Sequence, residues 1–370
     1  YYIFENNGSL ISEISVGENN NSIYSKGDVW NNGANANDEY LLLQPDFNSS
    51  RILYYFKPDS NSSTGRINIS SYDSAFLHPK NNVASFKFGQ SVTINDWNQT
   101  IFGSPGEAGF DDGALHIFNR ESNGSYSYSE KVIPSVSGLK GQFGHSSEVF
   151  NEFLFVGSPD ISSYSGSVDI YRRESNGSYR FSESLNTYST TLDTFGWDLS
   201  ADIQNLAVSS LQTIKSGSGK VSIFEGNGTN WNFISSVSSD DNQSRDEFGY
   251  SIDLSGSRLL VGAPKADANG TDSGGAYIFE KNASGWFQTK KLVPTGLSAN
   301  DEFGSSVTLS QNLAFVGARK KDGNATDAGA VYVFHYDGTN WSEISQIYPP
   351  SLMVNQFFAS DLFFHEDIGS

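Results

Sequence analysis

A Phe-Gly pair returns along this chain at Phe88-Gly89, Phe143-Gly144, Phe195-Gly196, Phe248-Gly249 and Phe303-Gly304, in steps of 55, 52, 53 and 55 residues (88 to 143, 195, 248 and 303). A period near 50 over most of a chain constrains folding more than any composition, because each unit then packs mainly on copies of itself. Three further landmarks keep the period. A Gly-Ser-Pro or Gly-Ala-Pro corner falls at Gly103, Gly157 and Gly262, decays to Val208-Ser209-Ser210 in one copy and becomes Gly317-Ala318-Arg319 in another. A glycine opens the next apolar run at Gly113, Gly166, Gly219, Gly275 and Gly329, and an aromatic follows at Tyr126, Tyr179, Trp231, Trp286 and Trp341.

Each unit holds four runs of five to seven residues rich in Val, Ile, Phe, Tyr and Trp, broken by Gly, Asn, Asp and Ser. No stretch keeps a 3.6-residue apolar period, so the runs are strands. The last connection in a unit often carries Asn-Gly (Asn123-Gly124, Asn176-Gly177, Asn227-Gly228), which suits a tight hairpin. A four-stranded meander of about 50 residues is a propeller blade.

Degenerate copies flank the five. Asn37-Asp38-Glu39-Tyr40 matches Asn300-Asp301-Glu302-Phe303, and Gln356-Phe357-Phe358-Ala359-Ser360 matches Glu302-Phe303-Gly304-Ser305-Ser306. Tyr1 to Phe4 aligns with Ala276 to Phe279, and Asn7-Gly8-Ser9 with Asn123-Gly124-Ser125. The expectation is an all-β, seven-bladed β-propeller of four-stranded antiparallel blades, filling residues 1–370 as a single domain. Blades start near 40, 88, 143, 195, 248 and 303, and the seventh combines 357–370 with 1–16, so that N-terminal strands pair with a C-terminal one. Its second strand has few residues left, so the blade is one strand short or the native chain continues. The start at Tyr1, with neither an initiator Met nor a signal peptide, reads as a trimmed piece of a longer precursor.

The Phe-Gly and Gly-Ala-Pro landmarks resemble the FG-GAP family, the repeats of the integrin alpha-subunit head and of many bacterial and archaeal surface proteins. The resemblance implies a seven-bladed propeller used outside the cell for adhesion, ligand recognition or assembly. Integrin-type members also carry Asp-x-Asp-x-Asp-Gly calcium loops between the first two strands of several blades. The corresponding segments here, Asn95 to Asn98, Ala201 to Gln204, Ser255 to Ser257 and Ser310 to Asn312, are too short and too poor in carboxylates to supply the ion's six to eight ligands. Oxygens are denser in the next loop, at Asp267, Asn269 and Asp272 and at Asp322, Asn324 and Asp327. Asp and Asn there suit turns through local hydrogen bonds, with a cation such as calcium as the alternative. No other cofactor is implied.

A net charge of -19 would repel a phosphate backbone, so nucleic acid is not an expected partner, and no apolar run reaches a membrane-spanning length. The chain has no cysteine, which removes disulfides and thiolate chemistry. Its five histidines, His78, His116, His145, His335 and His365, sit at unrelated phases, and no paired carboxylates are set for acid–base work. A non-enzymatic protein is expected.

Sequons occur at Asn7, Asn20, Asn48, Asn61, Asn98, Asn123, Asn176, Asn227, Asn242, Asn269, Asn282, Asn324 and Asn340, besides one at Asn68 inside an expected strand. Asn7, Asn123, Asn176, Asn227 and Asn282 share the turn between third and fourth strands, where a glycan would not disturb packing. Trp30, Trp97 and Tyr164 break the repeat phase and fall in connections, which makes them expected contact residues. The expected function is extracellular binding, adhesion or surface structure, as part of a glycosylated cell-surface or filament assembly with a protein or glycan partner or further copies of itself. A carbohydrate-binding lectin is the alternative, and an accessory domain of a larger secreted enzyme the second.

Overall fold

The computed structural model describes residues 87–362, apart from 108–111, 123–124, 137–140, 160–165, 187–192, 212–216, 311, 324 and 350–357; before residue 87 it describes the backbone of Tyr2–Phe4, Leu10–Glu13, Tyr40–Pro45, Arg51–Pro58 and Ile69–Leu77. All regular structure among the described residues is β. Five sheets have four antiparallel strands joined in sequence order, which defines blades I (92–132), II (146–186), III (199–237), IV (252–292) and V (303–347). A three-stranded sheet, Tyr40–Pro45, Arg51–Pro58 and Ile69–Leu77, precedes them. Tyr2–Phe4 and Leu10–Glu13 form a two-stranded antiparallel pair, where the sequence expects the outer hairpin of a split blade.

Blade IV shows how sequence becomes blade. Its strands are Ile252–Ser255, Arg258–Ala263, Gly275–Asn282 and Gly285–Leu292. Leu259, Leu260, Val261, Ala276 and Ile278 are fully buried, because the second and third strands are covered on both faces by neighbouring blades. The fourth strand mixes partly covered and exposed positions and buries only Leu292, as an outer edge with one wet side does. In every blade the register between third and fourth strands slips once, ahead of Phe118, Tyr171, Phe224, Phe279 and Phe334. This repeated bulge adds twist at the outer edge.

Phe-Gly ties one blade to the one before it. The glycine that opens a third strand bridges the phenylalanine of the following blade, at Gly113 with Phe143, Gly166 with Phe195, Gly219 with Phe248, Gly274 with Phe303 and Gly329 with Phe358. Two sequence assignments are thereby corrected by one residue. The opening glycine of blade IV is Gly274 rather than Gly275, and the degenerate copy after blade V takes Phe358, not Phe357, as its phenylalanine. Adjacent identical residues, Gly-Gly and Phe-Phe, left the register open; backbone geometry closes it, because Gly274 and Ala359 hold the left-handed angles (φ 91 and 67) of their counterparts Gly329 and Gly304 (φ 83 and 92).

Phe143, Phe195, Phe248 and Phe303 are fully buried, each gaining about 2 kcal/mol from apolar surface removed from water, and Phe358 is partly buried. The residue before the phenylalanine takes a positive φ at Gln142, Thr194, Glu247 and Glu302, and so does Lys87 ahead of Phe88. A side chain there costs on the order of 1 kcal/mol, and inter-blade packing offsets it.

Candidate functional site

The first strands of blades I to V lie against one another in order, and the residue two beyond each phenylalanine sits at the level where those strands begin. In blades II, III and IV that residue is His145, Trp197 and Tyr250. Their rings form a continuous, half-buried arc: His145 and Trp197 lie 4.6 Å apart between centroids, Trp197 and Tyr250 5.9 Å. Trp197 Nε1 donates to the Tyr250 carbonyl at 3.2 Å, so the indole edge is anchored and its orientation set. The tight Phe-Gly bend pins the backbone on either side and leaves this one side chain free to vary.

Arg319 extends the arc from the corner of blade V. Its guanidinium stands 5.5 Å from the Tyr250 ring centroid and donates to the Tyr250 hydroxyl at 3.1 Å. The same arginine bonds Glu302 at 2.5 Å, and Lys265 and Lys320 meet the other carboxylate oxygen at 2.5 and 2.8 Å. Burial pushes the Glu302 carboxyl up, but hydrogen bonds from the two lysines and Arg319 outweigh it and hold the group at about 2. Glu247, at the same repeat position in blade IV, is raised by burial, which the nearby Lys265 only partly counters. One side chain of full negative charge thus gathers three cations beside three aromatic rings, in a protein that is strongly acidic overall.

Such a surface offers stacking faces and cationic groups side by side. Among the described residues no group of three or more His, Asp or Glu is placed to hold a metal ion. The two oxygen-rich loops are arranged as turns: Asp267 accepts the backbone N–H of Asp272 and Asp322 that of Asp327, both at 2.9 Å. Asp272 also pairs with Lys265 at 3.2 Å, and Asn269 Nδ2 donates to the Leu297 carbonyl at 2.6 Å. Asn324 lies outside the described residues.

Of the expected contact residues, Trp30 and Tyr164 lie outside the described residues. Trp97 sits in the hairpin at the far end of blade I, 40% exposed, with Arg173 of blade II stacked 4.4 Å from its ring centroid. Gln99 continues that link, donating to Gly177 O at 3.1 Å. Blade-to-blade locking therefore occupies one face of Trp97. The phased aromatics do the same inside the body: Trp231 packs edge-on against Phe153 and Phe155 of the preceding blade, and Tyr179 OH accepts from Asn95 Nδ2.

His116 is buried in the third strand of blade I, its Nε2 2.5 Å from Glu107, which also pairs with Lys131 at 2.6 Å. Burial raises the Glu107 carboxyl, and the hydrogen bonds from His116 and Lys131 bring it below its ordinary value. His335 is exposed, and His78 and His365 lie outside the described residues. The aromatic arc escaped the sequence reading because His145, Trp197 and Tyr250 differ from one another. The available signal was the variable third position in Phe-Gly-x-Ser/Asp.

Residues 231–279 and 286–334 match the FG-GAP repeat model, so the chain carries FG-GAP repeats. Each matched window opens at the fourth-strand tryptophan of one blade (Trp231, Trp286) and ends at the third-strand phenylalanine of the next (Phe279, Phe334), so the sequence repeat straddles two blades of this β-propeller. No curated protein matches the chain in sequence. Among solved structures, a periplasmic gluconolactonase from Pseudomonas aeruginosa is 14% identical, with 84% of this chain and 96% of that one covered and a TM-score of 0.43.

Proposed function

We propose that the chain is a non-catalytic binding module outside the cell, a seven-bladed ring occupying residues 1–370 whose contact surface is the arc His145–Trp197–Tyr250 with its Arg319 extension. The observation that carries this reading is the arc itself. Neighbouring blades place three different aromatic side chains in register at one end of the first strands, without the uniform packing role that keeps the phased Phe and Trp positions alike. Seven blades follow from the period, and closure would come from the Tyr2–Phe4 and Leu10–Glu13 hairpin pairing with the segment of chain that follows Phe358. The binding partner is a macromolecule of the cell surface, read by stacking and by the cations around Glu302.

A lectin is the second reading, favoured by the half-buried aromatic rings, since a sugar ring stacks on such a platform. Wild-type and Trp197→Ala protein would be compared for retention on isolated cell envelopes of the producing organism and on a glycan array. Retention weakened about 10-fold or more by the substitution, with unchanged melting, is expected of a contact hot spot. Equal retention of both proteins removes the arc as the contact surface. A defined glycan signal lost with Trp197 selects the lectin.

A further inference from the structure

Beyond that reading, the structure assigns a modification site to the outer rim: we infer that the hairpin-tip asparagines Asn176, Asn227 and Asn282 carry N-linked saccharides, while Asn242 and Asn269 remain bare. All five lie in Asn-x-Ser/Thr triplets, so sequence alone cannot separate them. Their carboxamides can.

At the three tips the carboxamide oxygen is engaged and the nitrogen is not. Asn176 Oδ1 accepts the N–H and the hydroxyl of Ser178 at 3.0 and 2.7 Å. Asn227 Oδ1 accepts the N–H and hydroxyl of Thr229 at 3.0 and 2.8 Å, and the N–H of Asn230 at 2.8 Å. Asn282 Oδ1 accepts the Ser284 N–H at 2.7 Å. Each residue is exposed, and among the described residues no acceptor meets its Nδ2. The turn therefore fixes the amide plane with the nitrogen directed away from its own backbone. Hydrogen bonds donated to the carbonyl oxygen draw electron density from nitrogen and make its N–H more acidic.

The two excluded asparagines are engaged in the opposite sense. Asn269 Nδ2 donates to Leu297 O at 2.6 Å, and Asn242 Nδ2 to Gly219 O at 3.4 Å while its Oδ1 is buried. A saccharide on either nitrogen would have to displace backbone contacts of the folded blade.

The reaction needs a saccharide donor with a phosphate leaving group. The bond from the anomeric carbon to the phosphate oxygen breaks, a bond from that carbon to Nδ2 forms, and the amide proton passes to a base of the transferring enzyme. Blade V supplies an internal control. Its tip reads Asp337-Gly-Thr-Asn-Trp341 where blade III reads Asn227-Gly-Thr-Asn-Trp231, and Asp337 makes the same turn, accepting the N–H of Thr339 and Asn340 at 2.7 Å each. A single substitution there creates the triplet in the same geometry.

The test is glycopeptide mass spectrometry on protein recovered from the organism that makes it. Saccharide mass is expected on peptides containing Asn176, Asn227 and Asn282 and none on those containing Asn242 or Asn269. Thr229→Ala should free Asn227 of saccharide, and Asp337→Asn should add one at 337; both positions are exposed, and folding is checked by an unchanged melting temperature. Bare tips in the wild-type protein, or saccharide on Asn242 or Asn269 with bare tips, overturns the inference.

Discussion

Blades IV and III make the same inter-blade corner from different residues. In blade IV the corner residue is Gly262, and a Cβ there would collide with the Gly304 carbonyl of blade V; the same holds for Gly103 under Gly144 and Gly157 under Gly196. The space a side chain would fill is taken by the neighbouring backbone and by a serine: Ser91 and Ser146 hydroxyls donate across it to Gly144 O and Gly196 O at 3.0 and 2.8 Å. Blade III inverts the arrangement. Its corner carries Ser209, and the position of the bridging serine carries Asp198. The Ser209 hydroxyl accepts the Asp198 N–H at 2.9 Å, and Asp198 Oδ2 reaches the next blade by accepting the Ile252 N–H at 2.9 Å. A glycine and serine in one pair thus become a serine and aspartate in the other. What looks like decay in one segment is a compensated change in two.

The largest expected effect comes from imposing one solution on the other blade. Gly262→Ala should destabilise by about 3 kcal/mol or more, since the colliding atoms are backbone and cannot rotate away, and chemical denaturation would register it as a lower midpoint. A loss below about 1 kcal/mol would mean that the blades slide apart easily. Next is Glu302→Gln, which leaves Lys265, Arg319 and Lys320 without their shared carboxylate; a loss of about 2–4 kcal/mol is expected at neutral pH. Because the folded carboxyl titrates at about 2 against an ordinary value of 4.5, its contribution is present above pH 4.5 and disappears as pH falls through 2. The melting temperatures of wild type and variant should therefore converge between pH 5 and pH 2, and a constant difference would contradict the ion cluster. The smallest effect belongs to Ser209→Gly, which frees the buried Asp198 N–H without a clash and should cost about 1–2 kcal/mol. Pairing it with Asp198→Ser restores the blade IV solution, and the double variant should recover part of that loss in a thermal melt.

Much of this architecture was legible because β-periodicity and turn chemistry are local. The turns at Asn95–Asn98 and Ser255–Ser257 stand where the sequence places them, and each third strand forms the buried centre expected of its apolar run. Registers at Gly274-Gly275 and Phe357-Phe358 were not legible, because doublets fit two alignments equally and only the bridges to Phe303 and Gly329 distinguish them. Trp97 is an expected contact residue because it breaks the repeat phase in a connection, yet its stacking partner Arg173 lies in another blade, 76 residues later (173 − 97).

Sequence by itself determined the repeat, its strands and the recurring glycine corners, since those follow from backbone sterics recurring every 50-odd residues. Tertiary structure decided which side chains meet: His145, Trp197, Tyr250 and Arg319, spread over 174 residues (319 − 145), become one surface, and Glu302 gathers cations from two blades. The physical reason is that stacking and charge pairing act through space at a few ångströms, whereas the repeat constrains each blade largely one neighbour at a time.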